Sequence, residues 1–214
     1  MPRTLSPIES LAAGAEREEV LRRVRRHPAW AEDLLQGLSD PRPAVRYGSS
    51  RVLRQLAEDH PEKLKPWFDE LAAALAHPNK LLRCDIAAAV AAMAGVVSAP
   101  TMRALLPELA RPLSGPELVP AANAAMALAL AAERAPAFGP EVTEALLAAG
   151  RARLPTAECQ RILAGKVIEA FDRIAPLAPA DPRVPRFVKR HLRSSRPGTR
   201  KRAERWWKRH APRT

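Results

Sequence analysis

Asp40-Pro41-Arg42-Pro43-Ala44-Val45-Arg46 joins two helical patterns. Before it, Trp30, Leu34, Leu35 and Leu38 fall at i, i+4, i+5 and i+8, an apolar stripe along one side of a helix. After it, Val45, Val52, Leu53 and Leu56 make a second stripe. Between them stand two turn dipeptides, Asp-Pro and Arg-Pro. Each proline disfavours helix in the residue before it and can open the helix that follows. The local reading is helix, tight turn, helix. Such a pair has one apolar face too many to be stable by itself.

Copies of the junction supply the neighbours. Pro41, Val45 and Arg46 recur 37 residues on as Pro78, Leu82 and Arg83, and the apolar phase of Arg51 to Leu56 returns over Ala88 to Met93. A step of 38 carries Asp85-Ile86 and Ala89-Val90 to Asn123-Ala124 and Ala127-Leu128, and a further 37 carries Ala127 and Leu130 to Ala164 and Val167. Ser194-Ser195-Arg196-Pro197-Gly198-Thr199-Arg200 reads as a last copy, with Thr199-Arg200 in the places of Val45-Arg46.

The stretch from Leu34 to Ala57 resembles the HEAT repeat family, whose turn Asp-Pro and following Val-Arg are matched by Asp40-Pro41 and Val45-Arg46. In the second copy His77 replaces the aspartate, and the likeness thins through the later copies, over residues 28–210. The resemblance implies an all-α, right-handed α-solenoid of about five HEAT-like helix pairs, with a concave partner-binding face. It implies no particular partner, because one fold carries many functions.

Composition points to the all-α class independently. Alanine and leucine dominate, aromatic residues make up 4%, there are 22 prolines, and strand formers never alternate over a useful length. Helices are expected over 8–26, 43–59, 61–76, 79–94, 99–113, 118–134, 138–153, 156–174, 182–194 and 197–210. One continuous array is expected, with an N-terminal capping helix (1–27), neutral HEAT-like repeats (28–181) and a basic C-terminal capping repeat (182–214). No apolar targeting core follows Met1, and the uncharged run 118–132 is shorter than the ~20 residues a membrane span needs. A cytoplasmic protein is expected.

The formal charge is +12, and its distribution matters more than its size. Residues 183–214 hold 13 lysines and arginines and a single acid, Glu204, so the whole net charge sits there and the rest of the chain is neutral. In the last helix, Thr199, Ala203, Trp206, Trp207 and His210 share one side, and the tryptophans should dock it on the preceding repeat. Lys201, Arg205 and Lys208 then point outward. They are the candidate anion and nucleic-acid contacts, since lysine and arginine bind phosphates by displacing counterions.

A second candidate surface comes from the second helices, which line the concave side if the resemblance holds. Tyr47, Arg51 and Arg54 lie off the apolar stripe of their helix and would face a partner, although an ordinary solvated face explains them too. The run 118–132 contains no charge. Either that helix is buried all round, or its groove face is apolar and awaits a partner protein or a second copy of the chain. Met126 and Leu130 would then make the contact. Gly165, in mid-helix, makes room for a close helix contact.

Nothing points to catalysis. There is no Ser/His/Asp order in a plausible context, no Gly-rich phosphate loop and no metal spacing, so no enzyme, metal or cofactor is expected. His27-Pro28, His60-Pro61 and His77-Pro78 lie at helix junctions, where a histidine suits the end of one helix and a proline the start of the next. Cys84 and Cys159 read as small structural residues. Two functions remain: a HEAT-repeat scaffold that binds a protein through its concave face, and a nucleic-acid-binding protein that uses the basic end. Among solenoids similar to HEAT arrays, the DNA alkylation repeat glycosylases cradle duplex DNA in a basic, aromatic-bearing groove. Here the basic residues cluster at one end, residues 68–205 contain no tryptophan, and no motif of that family carries over. A membrane partner is not expected, because no amphipathic helix shows exposed apolar bulk.

Overall fold

The computed structural model describes residues 5–177 and 181–210. These are helix and turn, with no strand among them. They form two compact units, Met1–Val97 and Ser98–Thr214. No helix among the described residues is long and apolar enough to cross a membrane.

The first unit opens with two helices where one was expected over 8–26. α1 (Pro7–Ala12) begins on a capping box in which the Glu9 N–H donates to Ser6 Oγ and the Ser6 N–H donates to Glu9 Oε2. The helix stops before Gly14, whose φ of 81° is a left-handed conformation that side chains disfavour. α2 (Arg17–Arg26) then starts afresh. α3 (Ala31–Gly37) and α4 (Pro43–Asp59) flank the Asp40–Pro43 junction. The segment expected as one helix over 61–76 is α5 (Pro61–Leu64) and α6 (Phe68–Ala73), separated and followed by single 3-10 turns. Pro66 lies at the first of these breaks, where its ring and missing N–H interrupt an α-helix. α7 (Lys80–Ala92) completes the unit.

α4 is its hub, packing against α1, α2, α3, α5 and α7. Its stripe of Val45, Val52, Leu53 and Leu56 is buried, as are Leu34 and Leu38 from the preceding pattern. Each leucine so buried contributes roughly 1.5–3 kcal/mol.

The second unit contains α8 (Ala99–Ala110), α9 (Leu118–Arg134), α10 (Gly139–Ala148), α11 (Ala157–Ile174), α12 (Arg183–His191) and α13 (Pro197–His210). They alternate between two layers, α9, α11 and α13 side by side in one, α8, α10 and α12 in the other. Seven of the eight buried residues of α9 are alanines, whose small side chains let α11 approach closely. Gly165 of α11 serves the contact expected of it. A Cβ there would stand 2.7 Å from Thr199 Oγ1, and without one the Thr199 hydroxyl donates to the Arg161 carbonyl at 2.7 Å.

One turn recurs before α4, α7 and α13. Arg46 Nη1 donates to the carbonyls of Asp40 (2.9 Å) and Pro41 (3.3 Å). Arg83 Nη1 does the same to His77 (2.8 Å) and Pro78 (3.3 Å), and Arg200 Nη1 reaches Ser194 at 3.1 Å. In each case the arginine lies six residues after the first carbonyl it holds, and satisfies backbone acceptors left over by the preceding helix. The first residue of each turn also accepts, through its side chain, the N–H two positions on. Asp40 Oδ1 takes Arg42, His77 Nδ1 takes Asn79, and Ser194 Oγ takes Arg196, at 2.8, 3.0 and 3.3 Å. Aspartate, histidine and serine are interchangeable here because the turn needs only a short side-chain acceptor.

Candidate functional site

The basic residues of α13 divide into two rows. The inner row is ion-paired with α11. Arg202 Nε donates to Glu169 Oε2 at 3.1 Å, Arg209 Nη1 donates to Asp172 Oδ2 at 2.7 Å, and the ring of His210 lies 2.9 Å from Asp172 Oδ1. Arg196, in the turn before α13, pairs with Glu158. That guanidinium holds the Glu158 carboxyl below its ordinary pKa. Burial pushes the Glu169 carboxyl up, but Lys166 and Arg202 outweigh it and bring the net shift down. Glu158, Glu169 and Asp172 form the polar side of α11, and they are the acids against which α13 is seated.

Trp206 completes the docking. It is 3% exposed, and its Nε1–H has no partner among the described residues, so it holds the helix by buried area alone. Thr199 and Ala203 are buried beside it, and Trp207 is half-buried. The outer row, Lys201, Arg205 and Lys208, is exposed and has no ion-pair partner among the described residues. The structure therefore puts these three candidates where the sequence placed them.

A second basic surface was not anticipated. A groove of about 920 Å³ lies between α10 and α12, lined by Arg151, Arg183, Arg186, Lys189, Arg190 and Arg193. Its acid is Glu144, which sits 2.7 Å from Arg183 Nη1, and the same guanidinium also holds Asp181 at 2.8 Å. Arg190 lies over the Phe187 ring, 5.5 Å from its centroid. Arg151, Arg186, Lys189 and Arg193 have no ion-pair partner among the described residues. The signal was present in the sequence, since 183, 186, 190 and 193 fall at i, i+3, i+7 and i+10, a single helix face.

Arg190 also borders a smaller cavity of about 340 Å³ with Leu163, Val167, Phe187 and His191 on its walls. Burial, reinforced by Arg190, pushes the His191 pKa below 6.5. Both effects disfavour the charged imidazolium of His191.

The candidates of α4 are more committed to the fold. Tyr47 is half-buried, and its hydroxyl accepts from Asn79 Nδ2 at 3.0 Å. Arg54 donates to Glu58 at 2.8 Å and to Asp85 at 3.4 Å. Arg51 is exposed and has no ion-pair partner among the described residues. Arg51 and Arg54 meet in a cleft of about 380 Å³ that also holds Arg17, Glu18 and Asp85, so its charge is mixed; Tyr47 is not part of it. On α9, Met126 and Leu130 are half-buried, and the most open apolar residue is Val119, 54% exposed. Val119 precedes Met126 by seven residues, two turns along the same face, and the sequence reading missed it.

No protein-family model matches the chain. No curated protein matches it either. Among solved structures, the chain is similar to the crystal structure of an engineered protein, with 18% identity and a TM-score of 0.55 over 94% of this chain and 87% of the other. At that identity the likeness concerns the fold alone.

Proposed function

We propose that this chain is a HEAT-like α-solenoid that binds nucleic acid through its phosphates, using the basic C-terminal end. The observation that carries this reading is the division of the α13 cations. Those that seat the helix are matched to acids, whereas Lys201, Arg205 and Lys208 have no ion pair among the described residues. The arginine-clamped turn, repeated in the same register before α4, α7 and α13, supports the repeat architecture. Phosphate contacts position a protein on nucleic acid without reading sequence. Binding is therefore expected to be indifferent to base order. The reading involves no catalytic residue, metal or cofactor, and suits a cytoplasmic setting.

The test is binding of labelled duplex DNA and single-stranded RNA at ~50 and ~200 mM salt. The wild type is compared with the Lys201→Glu/Arg205→Glu/Lys208→Glu variant. Affinity should fall steeply with salt. Loss of three phosphate contacts should remove about 2–3 from the slope of log K against log salt. Absence of binding at the lower salt would overturn the proposal.

A second reading, a protein partner or a second copy of the chain, is favoured by the open Val119 beside Met126 and Leu130 on α9. Under it, sedimentation would show concentration-dependent association that Val119→Lys abolishes.

A further inference from the structure

The groove between α10 and α12 asks for a more specific ligand than the outer row of α13 does. We propose that it seats a flexible chain of phosphates, the backbone of a single-stranded nucleic acid, and does not admit a duplex. The inference rests on the phosphate-binding reading of the basic end and names the form of nucleic acid that end selects.

Three observations lead there. First, cations stand on both sides. Arg151 follows α10, while Arg186, Lys189 and Arg190 belong to α12 and Arg193 closely follows it. The acid of the groove is already taken by Arg183. A ligand lying in the groove is thus contacted from two walls, which suits a chain of spaced negative charges better than one isolated anion. Second, the groove is small. Its volume of about 920 Å³ is that of a cleft for a small molecule, so a few nucleotides of one strand fit within it, whereas a duplex can only lie across its rim. Third, there is no platform for stacking a base. Phe187 is 3% exposed and is covered from above by Arg190. Single-strand binders that grip bases do so on exposed aromatic rings. Here the phosphates are the feature on offer, so a free inorganic polyphosphate shares the chemistry and has to be distinguished by experiment.

The test uses the full chain and three probes, an oligouridylate of about 12 nucleotides, a duplex of the same length and inorganic polyphosphate. The Arg186→Glu/Lys189→Glu/Arg193→Glu variant changes exposed side chains only, and its thermal unfolding is checked against the wild type. The expected result is at least a tenfold loss of oligouridylate binding with duplex binding little changed. The Lys201→Glu/Arg205→Glu/Lys208→Glu variant should weaken both. A second readout needs no variant. Lys189 is the groove's lysine, and bound oligouridylate should protect it from amine acylation while leaving Lys65 reactive.

Equal loss of single strand and duplex, or no protection of Lys189, would overturn the single-strand assignment. Polyphosphate bound more tightly than oligouridylate would transfer the groove to that ligand and overturn the nucleic-acid assignment. If the groove variant binds as the wild type does while the α13 variant fails, this inference falls and the proposed function stands. If the wild type binds no nucleic acid, both fall.

Discussion

α4 and α13 follow the same arginine-clamped turn, and each presents arginines away from its buried stripe. On α4 one of them, Arg54, has acids within reach, while Arg51 has no ion-pair partner among the described residues. Glu58, on the same helix, and Asp85, on α7, take Arg54, and Asp85 also accepts from the Ser50 hydroxyl at 2.9 Å. On α13 the helix's own acid is Glu204, 3.9 Å from Arg200, and the acids of α11 reach Arg202, Arg209 and His210. Lys201, Arg205 and Lys208 have no acid paired to them among the described residues. α13 carries six lysines and arginines against three on α4, and the acids of its neighbour α11 match only part of that larger set. A basic residue indicates a ligand when the fold leaves it unpaired, and by that measure the basic end is a stronger candidate than the groove face of α4.

The comparison breaks most completely if α13 is undocked. Trp206→Ala should cost about 3–5 kcal/mol in denaturant unfolding. Trp206→Phe should cost much less, because the indole Nε1–H makes no hydrogen bond among the described residues. Similar losses for the two would show that the ring's polar atom matters after all. A smaller change is Gly165→Ala, whose methyl group would sit 2.7 Å from Thr199 Oγ1. It should destabilise by about 1–3 kcal/mol through overpacking between α11 and α13, and a neutral result would mean that the two helices are not held as closely as described.

The smallest effect separates the two turns. Before α4 the acceptor is Asp40, whose pKa falls from 3.8 to about 2 because the Arg42 side chain and N–H hold its carboxylate. A depressed folded pKa stabilises above the unfolded value, and that contribution is lost as pH falls from 3.8 towards 2. Before α13 the acceptor is Ser194, which carries no charge. Asp40→Ser should therefore cost a little stability at neutral pH, and its difference from the wild type should shrink as pH falls from 3.8 towards 2. An identical acid profile for wild type and variant would remove the Asp40–Arg42 pair from the account.

Much of the fold was legible in local pattern. The Asp-Pro junction, the 37-residue return and the proline-started helices predicted the second helices to within a residue or two, and Gly165 was read correctly as a close contact. The break at Gly14 was missed because the apolar positions on either side keep a rough helical phase, which hides a glycine in the left-handed region. His77 looked like a departure from the aspartate pattern, yet its Nδ1 performs the same service. The basic groove was overlooked for another reason. Its cations on α12 share a helix face in sequence, but Arg151 comes from a distant stretch, and only packing of α10 against α12 makes the set a groove.

The sequence by itself determined where the second helices begin and end, and which side of α13 turns inward. Both follow from interactions within a few residues: proline geometry, capping, and apolar spacing over one or two turns. Tertiary structure alone decided which cations are neutralised. Glu158 and Arg196, Glu169 and Arg202, and Asp172 and Arg209 are separated by 38, 33 and 37 residues. Whether such charges meet depends on how two packed helices are set against one another to within an ångström or so, because charge-assisted hydrogen bonds form only over short distances and a solvated charge further away is largely screened.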